Sequence, residues 1–484
     1  MPYQIEYREG AALVMTQILL TGENPFALEN QPLGMNNYGI VYNLQVLPFA
    51  KLFGNTLMVH RSVSFFFLFA SLLLVARTIW AVKKDALMSI VGGLFIVILW
   101  AGRGGLGAFP STMGAFLFLS AILIPFIYSF RYPSLIVSAL LSILAFYTKP
   151  YFVIGFVVVA VYTFAFISKQ KGVISGLFFL FAFGVIFLGV RYVFKMYFID
   201  TFISNLSNAS RSSEHLRSQL LELGKEFFPI ILLWAALLIF SGSNFPPGNS
   251  FRKYISSRSS NLDIDAALFR VPINYFAVTF IFCFIGFVFV LGLHMGSYMT
   301  SAYQLVVPPF ILWLFQTLNS KNRFSIIALC LLFGNILLLD NILLHPSFLR
   351  QMDSVAWSNL YHYVRSSHRV VNSPAVVSAL IDAGISPLDS GQTEYYYNIK
   401  PYPDNVLFGP SYETVERNGI TYRHAIQNAV RNQKFDTIFL TDGYGNLIPA
   451  DTVSQYYMKV DTIILEMPQT DQTWVIGVWE PKGK

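Results

Sequence analysis

Charged side chains are scarce in this chain of 484 residues. Asp, Glu, Lys and Arg together make up 12% of it, whereas 55% of the residues are hydrophobic, and the mean hydropathy is +0.54. Soluble domains carry roughly 25% charged residues. The apolar residues also come in long runs rather than in alternation, so the composition excludes an ordinary soluble protein and indicates a polytopic membrane protein.

Cysteine is almost absent, and so are the common nucleotide and metal motifs. Cys283 and Cys330 both lie inside apolar runs, which argues against a disulfide framework or a zinc site. The polar tail after residue 345 contains no glycine-rich phosphate loop and no cluster of metal ligands. The net charge of +7 is not gathered into a basic helix or an aromatic-basic pattern, so we exclude nucleic acid as a partner.

About ten apolar runs have the roughly 17–25 residues needed to cross a hydrocarbon core, although a few are shorter. They predict a bundle of about ten transmembrane helices. The runs are Met58–Val82, Ala86–Ala101, Thr112–Tyr128, Pro133–Tyr147, Tyr151–Ile167, Val173–Tyr197, Phe227–Ser241, Pro272–Leu293, Ala302–Leu318 and Phe324–Leu344.

Lys and Arg gather in alternate connections between these runs, and the positive-inside rule places such connections in the cytoplasm. The opposite connections then face outward. They include the segment 199–226, a polar loop that runs into an amphipathic stretch and is a candidate for a mobile cover over a site. The chain would therefore begin outside the membrane, where a segment without a preceding helix is hard to insert. We accordingly expect that a first transmembrane helix is missing from this sequence.

The pattern divides the chain into three parts. Residues 1–55 form an extracytoplasmic acidic loop with interfacial helices, because Pro and Gly punctuate short helical pieces there. Residues 56–345 form the transmembrane helical domain. Residues 346–484 alternate helical patterns with short β-like runs, which predicts a soluble extracytoplasmic α/β domain. The helical patterns are Ser354–Ser366, Ala375–Ala383 and Tyr422–Asn432, and the β-like runs are Arg369–Val371, Thr437–Thr441, Asp461–Glu466 and Trp474–Trp479.

Two carboxylates stand three residues apart near the start of the chain. Glu6 and Glu9 precede the helical run 11–20, so they would lie on one face of a first helical turn. There they could accept a proton. The alternative is a solvated helix start, which the helix dipole favours.

Three segments together resemble the GT-C membrane glycosyltransferases, the polyprenyl-phosphate-sugar-dependent enzymes that include the aminoarabinose transferase of lipid A and the protein O-mannosyltransferases. The resemblance lies in their order, spacing and sidedness. The first segment runs from Glu9-Gly10 through Asn24-Pro25-Phe26 and Tyr38-Gly39 to His60-Arg61. The second is Tyr147-Thr148-Lys149-Pro150. The third comprises Gly292 to Ser297, with Tyr298 and Tyr303 before Pro308.

This resemblance implies a multi-pass enzyme of a bacterial plasma membrane. It would transfer one sugar from a polyprenyl-phosphate donor to an extracytoplasmic lipid, glycan or protein by inverting single displacement. Such a step needs a carboxylate base and cations near the developing phosphate charge. The resemblance implies Glu9 or Glu6 as the base, Lys149, Arg61 and Arg103 at the donor phosphate, and His294, Tyr298 and Tyr38 as orienting residues.

Metal dependence and activity are left open by the sequence. Some members of the family use a divalent cation, so Mg²⁺ or Mn²⁺ is compatible with the resemblance, but no Asp or Glu accompanies His294 as a ligand. Arg8 stands where members with an Asp-Glu pair carry the Asp. A catalytically inactive GT-C-like scaffold therefore remains an alternative.

A lipid-linked-sugar flippase or transporter is the alternative from another class. The absence of an internal repeat and the few charges inside the spans argue against it. Each cation also has a structural alternative: Lys149 could extend to the membrane interface, Arg61 could pair with a helix carbonyl, and Arg103 could be solvated.

Overall fold

A computed structural model describes residues 4, 8–102, 107–108, 110–208, 211–240, 274–292, 304–317, 354–403, 409–442, 446–467 and 472–483. Within these residues the chain is mostly helical, with a small sheet near its C-terminal end.

Twelve of the described α-helices precede residue 318. They are α1 (Arg8–Leu20), α2 (Val41–Phe53), α3 (Leu57–Lys83), α4 (Ala86–Gly102), α5 (Ser111–Ile127), α6 (Tyr132–Phe146), α7 (Ile154–Tyr162), α8 (Lys169–Val193), α9 (Ser204–Asn208), α10 (Ser213–Phe240), α11 (Tyr275–Gly286) and α12 (Val307–Thr317).

Three helical segments in the described part of the chain are long and apolar enough to cross a membrane. They are α3, the continuous helical run Pro150–Ile167 and α8. Most apolar side chains of α8 are exposed, as expected of a helix that faces lipid. Five shorter apolar helices accompany them, and the predicted run Phe324–Leu344 lies outside the described residues. The predicted count of about ten spans therefore stays a prediction.

Helix α5 forms the centre of the apolar core, because nearly all of its side chains are buried. Its Phe126 ring stacks on Tyr275 of α11 with the ring centroids 5.6 Å apart. The Tyr275 hydroxyl donates a hydrogen bond of 2.8 Å to the carbonyl of Ile122, so this buried polar group is satisfied. Cys283, also on α11, is a buried free thiol, whereas Cys330 lies outside the described residues.

The described residues from 354 to 483, called the C-terminal unit below, combine helices with a four-stranded sheet. Its elements are α13 (Ser354–Arg365), β1 (Val370–Val371), α14 (Val377–Asp382), α15 (Thr393–Tyr397), α16 (Tyr412–Arg431), β2 (Thr437–Thr441), α17 (Ala450–Tyr456), β3 (Tyr457–Met467) and β4 (Gln472–Pro481).

The strand order in the sheet is β1-β2-β4-β3. Strands β1 and β2 are parallel, whereas β4 is antiparallel to both β2 and β3. The predicted strand Thr437–Thr441 is confirmed with the same bounds. Strands β3 and β4 are longer than their apolar patterns predicted, because hairpin pairing continues beyond the alternating stretch.

The N-terminal helix α1 packs directly against the C-terminal unit. A Cβ atom on Gly10 would lie 2.9 Å from Cβ of Val377, so glycine allows the close approach of α1 and α14. The buried side chain of Gln4 donates to the carbonyl of Pro374 at 3.0 Å and accepts from the amide of Ser378 at 3.3 Å. These contacts place Gln4 and α1 against the C-terminal unit.

The start of the segment 199–226 differs from the predicted polar loop. It begins with a π-helix, Ile199–Ile203, and continues through α9 into α10. Asp200 is fully buried and accepts a hydrogen bond of 2.9 Å from Nε2 of Gln31, and burial raises its pKa well above the usual carboxyl value. The first turns of this segment are therefore part of the packed interior.

Stability should depend on pH through Asp389 of the C-terminal unit. Burial raises the pKa of this carboxyl to about 6 from the usual 3.8, although the amide of Gly391 donates to it. The folded chain then binds the proton more tightly than the unfolded chain, so stability should rise by about 2 kcal/mol as the pH falls from 7 to 4.

The variant Asp389→Asn isolates this effect from other titrating groups such as Asp200. Thermal unfolding of the detergent-solubilised chain should show wild type gaining stability relative to the variant between pH 7 and pH 4. Parallel unfolding temperatures across that range would contradict the assignment.

Candidate active site

Glu9 lies in the first turn of α1 and is fully buried. Its Oε1 accepts a hydrogen bond from Nε of Arg61 at 2.9 Å, and its Oε2 accepts one from Nη2 of Arg61 at 2.7 Å. The amide of Ala108 adds a third bond to Oε1 at 2.8 Å. A predicted base and a predicted cation are thus bound to each other in a bidentate ion pair.

The start of α3 brings Arg61 to this position. Thr56 caps the helix, because its hydroxyl accepts from the amide of Val59, and Arg61 follows in the next turn. Asn55, immediately before the cap, donates through Nδ2 to the carbonyl of Leu13 on α1 at 2.9 Å. The beginnings of α1 and α3 are therefore held together by both the ion pair and this amide contact.

Tyr38 is placed by a close backbone contact with the second sequence segment. The amide of Gly39 donates to the carbonyl of Thr148 at 3.0 Å, and the amide of Val41 donates to the carbonyl of Tyr147 at 3.3 Å. A Cβ atom on Gly39 would lie 1.8 Å from the Tyr147 oxygen, so only glycine fits. Two of the three resembling segments therefore meet here.

Two cations approach the Tyr38 side chain from different parts of the chain. The Lys149 ammonium lies 4.8 Å from the ring centroid, within the range of a cation–π interaction. The Arg8 guanidinium donates from Nη1 to the Tyr38 hydroxyl at 3.1 Å. From the sequence, Arg8 was recognised only as a departure from the family pattern, and its contact with Tyr38 was not predicted. Its place directly before Glu9 was the available signal for a role in the site.

Tyr151 connects Lys149 with Gln304, the residue that follows Tyr303 of the third segment. Lys149 also lies 5.9 Å from the ring centroid of Tyr151, whose hydroxyl donates to Oε1 of Gln304 at 3.4 Å. Of the other predicted site residues, the four that lie outside the described residues are Glu6, Arg103, His294 and Tyr298.

No group of three or more His, Cys, Asp or Glu side chains that could hold a metal ion occurs among the residues that the structure describes. A cavity of about 730 Å³ opens on the C-terminal unit between Arg365, Arg369 and Phe435. None of the predicted site residues lines that cavity, so we do not assign it to the site.

Comparison with known proteins shows the fold. No protein-family model matches the chain, and no curated protein matches its sequence. Among solved structures, the chain is similar to ArnT from Cupriavidus metallidurans in a crystal structure bound to undecaprenyl phosphate, with a TM-score of 0.52 and 11% sequence identity over 98% of this chain and 94% of that chain. The chain therefore shares the overall fold of that protein, which agrees with the fold that the sequence resemblance implied.

The buried ion pair should dominate the stability of the site. Replacing Arg61 by Met leaves the Glu9 carboxylate buried without its charge partner, which should lower the free energy of unfolding by about 3–5 kcal/mol. The double variant Glu9→Leu with Arg61→Met removes both charges and should recover most of the loss. Chemical denaturation in detergent measures the free energy of unfolding of wild type, the single variant and the double variant. An Arg61→Met variant as stable as wild type would contradict the prediction.

Proposed function

We propose that this chain is an integral membrane glycosyltransferase that transfers a sugar from a polyprenyl-phosphate-linked donor to an extracytoplasmic acceptor. The convergence of Arg8, Tyr38 and Lys149 beside the Glu9–Arg61 pair carries the proposal. The structurally similar ArnT has undecaprenyl phosphate bound, which supports this class of donor.

Lys149 and Arg8 are the residues that we propose at the donor phosphate. Both are half-buried and both contact Tyr38, so their charged groups are held close to one aromatic side chain. The phosphate gains charge as it leaves the sugar, and cations fixed in a partly dry site stabilise that charge. Arg61 was predicted for the same role, but its bidentate contact with Glu9 favours a part in holding the carboxylate.

Of the two carboxylates that are candidates for the base, Glu9 is the one that the structure describes. In the proposed step the acceptor hydroxyl transfers its proton to the carboxylate while its oxygen forms the new bond to the anomeric carbon. The bond from that carbon to the phosphate oxygen breaks, and its electron pair leaves with the polyprenyl phosphate. Glu9 is fully buried beside Arg61, so an acceptor hydroxyl reaches it only when the ion pair opens. Glu6 therefore stays a second candidate.

The same burial favours an inactive GT-C-like scaffold as the second candidate function. When an arginine binds both oxygens of a carboxylate, a purely structural role is sufficient to explain the pair, which here joins α1 to α3. Turnover distinguishes the two functions, because a scaffold binds the lipid phosphate without consuming a donor.

Lys149 should contribute to binding of the lipid phosphate. The variant Lys149→Ala loses a charge-assisted contact and should bind undecaprenyl phosphate about tenfold more weakly. Lys171→Ala is a matched control, because its ammonium also lies near a tyrosine ring, 5.7 Å from the centroid of Tyr132, at the start of α8. Native mass spectrometry with undecaprenyl phosphate measures both, and equal losses in the two variants would overturn the assignment of Lys149.

Sugar transfer should depend on one of the two carboxylates. Purified protein in nanodiscs is incubated with radiolabelled polyprenyl-phosphate hexoses and aminopentoses, and sugar release is compared for wild type, Glu9→Gln and Glu6→Gln. Loss of the general base should lower turnover by roughly 10²–10⁴-fold in one variant whose fold is intact. If wild type consumes no donor but still binds undecaprenyl phosphate, the result favours the scaffold.

A further inference from the structure

We infer that Gln392 of the C-terminal unit is a positioning residue that holds Tyr38 in the proposed phosphate site. The inference rests on the proposed function. The amide of Asn37, the residue before Tyr38, donates to Oε1 of Gln392 at 2.7 Å. Gln392 is fully buried, although it stands 355 residues later in the sequence.

Asn37 is held from a second direction by α9. Its carbonyl accepts from Nδ2 of Asn205 at 3.2 Å, and its side-chain amide donates to Oδ1 of Asn205 at 3.3 Å. On its other side, the Tyr38 amide donates to Oδ1 of Asn36 at 2.9 Å. The backbone that carries Tyr38 is thus fixed by side chains from the helical part and from the C-terminal unit, and Gln392 supplies the shortest of these bonds.

Gln392 itself is fixed by a tight turn ahead of α15. The amide of Gly391 donates to Oδ1 of Asp389 at 2.8 Å, and the amide of Gln392 donates to the hydroxyl of Ser390 at 3.3 Å. That hydroxyl also donates to the carbonyl of Met35 at 3.3 Å. The turn therefore contacts the N-terminal loop twice, and Gln392 has little freedom to follow a displaced Asn37.

A displacement of Asn37 would move Tyr38 relative to Arg8 and Lys149. Small errors in the position of binding groups are costly, because the contacts depend on distances of a few tenths of an ångström. The C-terminal unit thus acts on the phosphate site through the hydrogen bond from the Asn37 amide to the Gln392 side chain, without contacting the phosphate.

The test removes, one at a time, two hydrogen-bonding side chains with which the C-terminal unit contacts residues 28–37. Gln392→Met keeps a side chain of similar length but removes the acceptor for the Asn37 amide. Asn418→Ala is the control, because Nδ2 of Asn418 donates to the carbonyls of Leu28 and Gln31 at 3.0 Å, away from Tyr38. Affinity for undecaprenyl phosphate and hydrogen exchange of the 35–41 peptide are measured for both variants.

We expect Gln392→Met to weaken the affinity for undecaprenyl phosphate about tenfold and to speed exchange in the 35–41 peptide by a similar factor, whereas Asn418→Ala should change neither by more than about twofold. In a Tyr38→Ala background, Gln392→Met should cause no further loss of affinity, since it acts through Tyr38. Equal effects of the two single variants, or additive losses in the Tyr38→Ala background, would overturn the inference.

The exchange measurement separates this inference from the proposed function. Should wild type bind no undecaprenyl phosphate, the proposed function fails, and faster exchange in Gln392→Met alone still supports the positioning contact. Unchanged exchange in Gln392→Met overturns the positioning contact, whatever the lipid affinity.

Discussion

The buried ion pair between Glu9 and Arg61 is the constraint on which the site depends. Removing two charges from water is costly, and the cost is offset only when geometry and hydrogen bonding are good. Both carboxylate oxygens meet that condition here, with the Ala108 amide as an additional donor. The pair fixes the start of α1 against the start of α3. Arg8, the neighbour of Glu9, is thereby directed to the hydroxyl of Tyr38.

The N-terminal residues form a layer between the helical part and the C-terminal unit. Gln4 and Gly10 contact the C-terminal unit, whereas Gly39 is bound to the backbone before Lys149. Polar atoms in this layer pair with partners far away in the sequence, since a buried amide without a partner is costly. A site built in such a layer responds to both neighbours, which explains how a distant residue such as Gln392 can position Tyr38.

The chain shares its fold with ArnT although the aligned chains share 11% sequence identity. Apolar helices of suitable length and packing volume can be built from many sequences, so a fold survives extensive substitution. Function depends instead on a few polar groups at defined positions. We propose Glu9, Arg61 and Lys149 as such groups, because their contacts in this chain support the proposal more specifically than the similarity of fold does.

The sequence by itself determined the membrane class, the apolar helices from 57 to 193 and the order of the four strands in the C-terminal unit. It missed the short helices α15 and α17. Run length and periodicity are local properties, so they are visible without a structure. Only the tertiary structure decided that Arg61 binds Glu9, that Arg8 joins Tyr38, and that Asp200 is buried rather than part of a mobile cover. These partners lie 30 to 169 residues apart. Which distant polar groups meet depends on how the elements pack, and no local pattern encodes that choice.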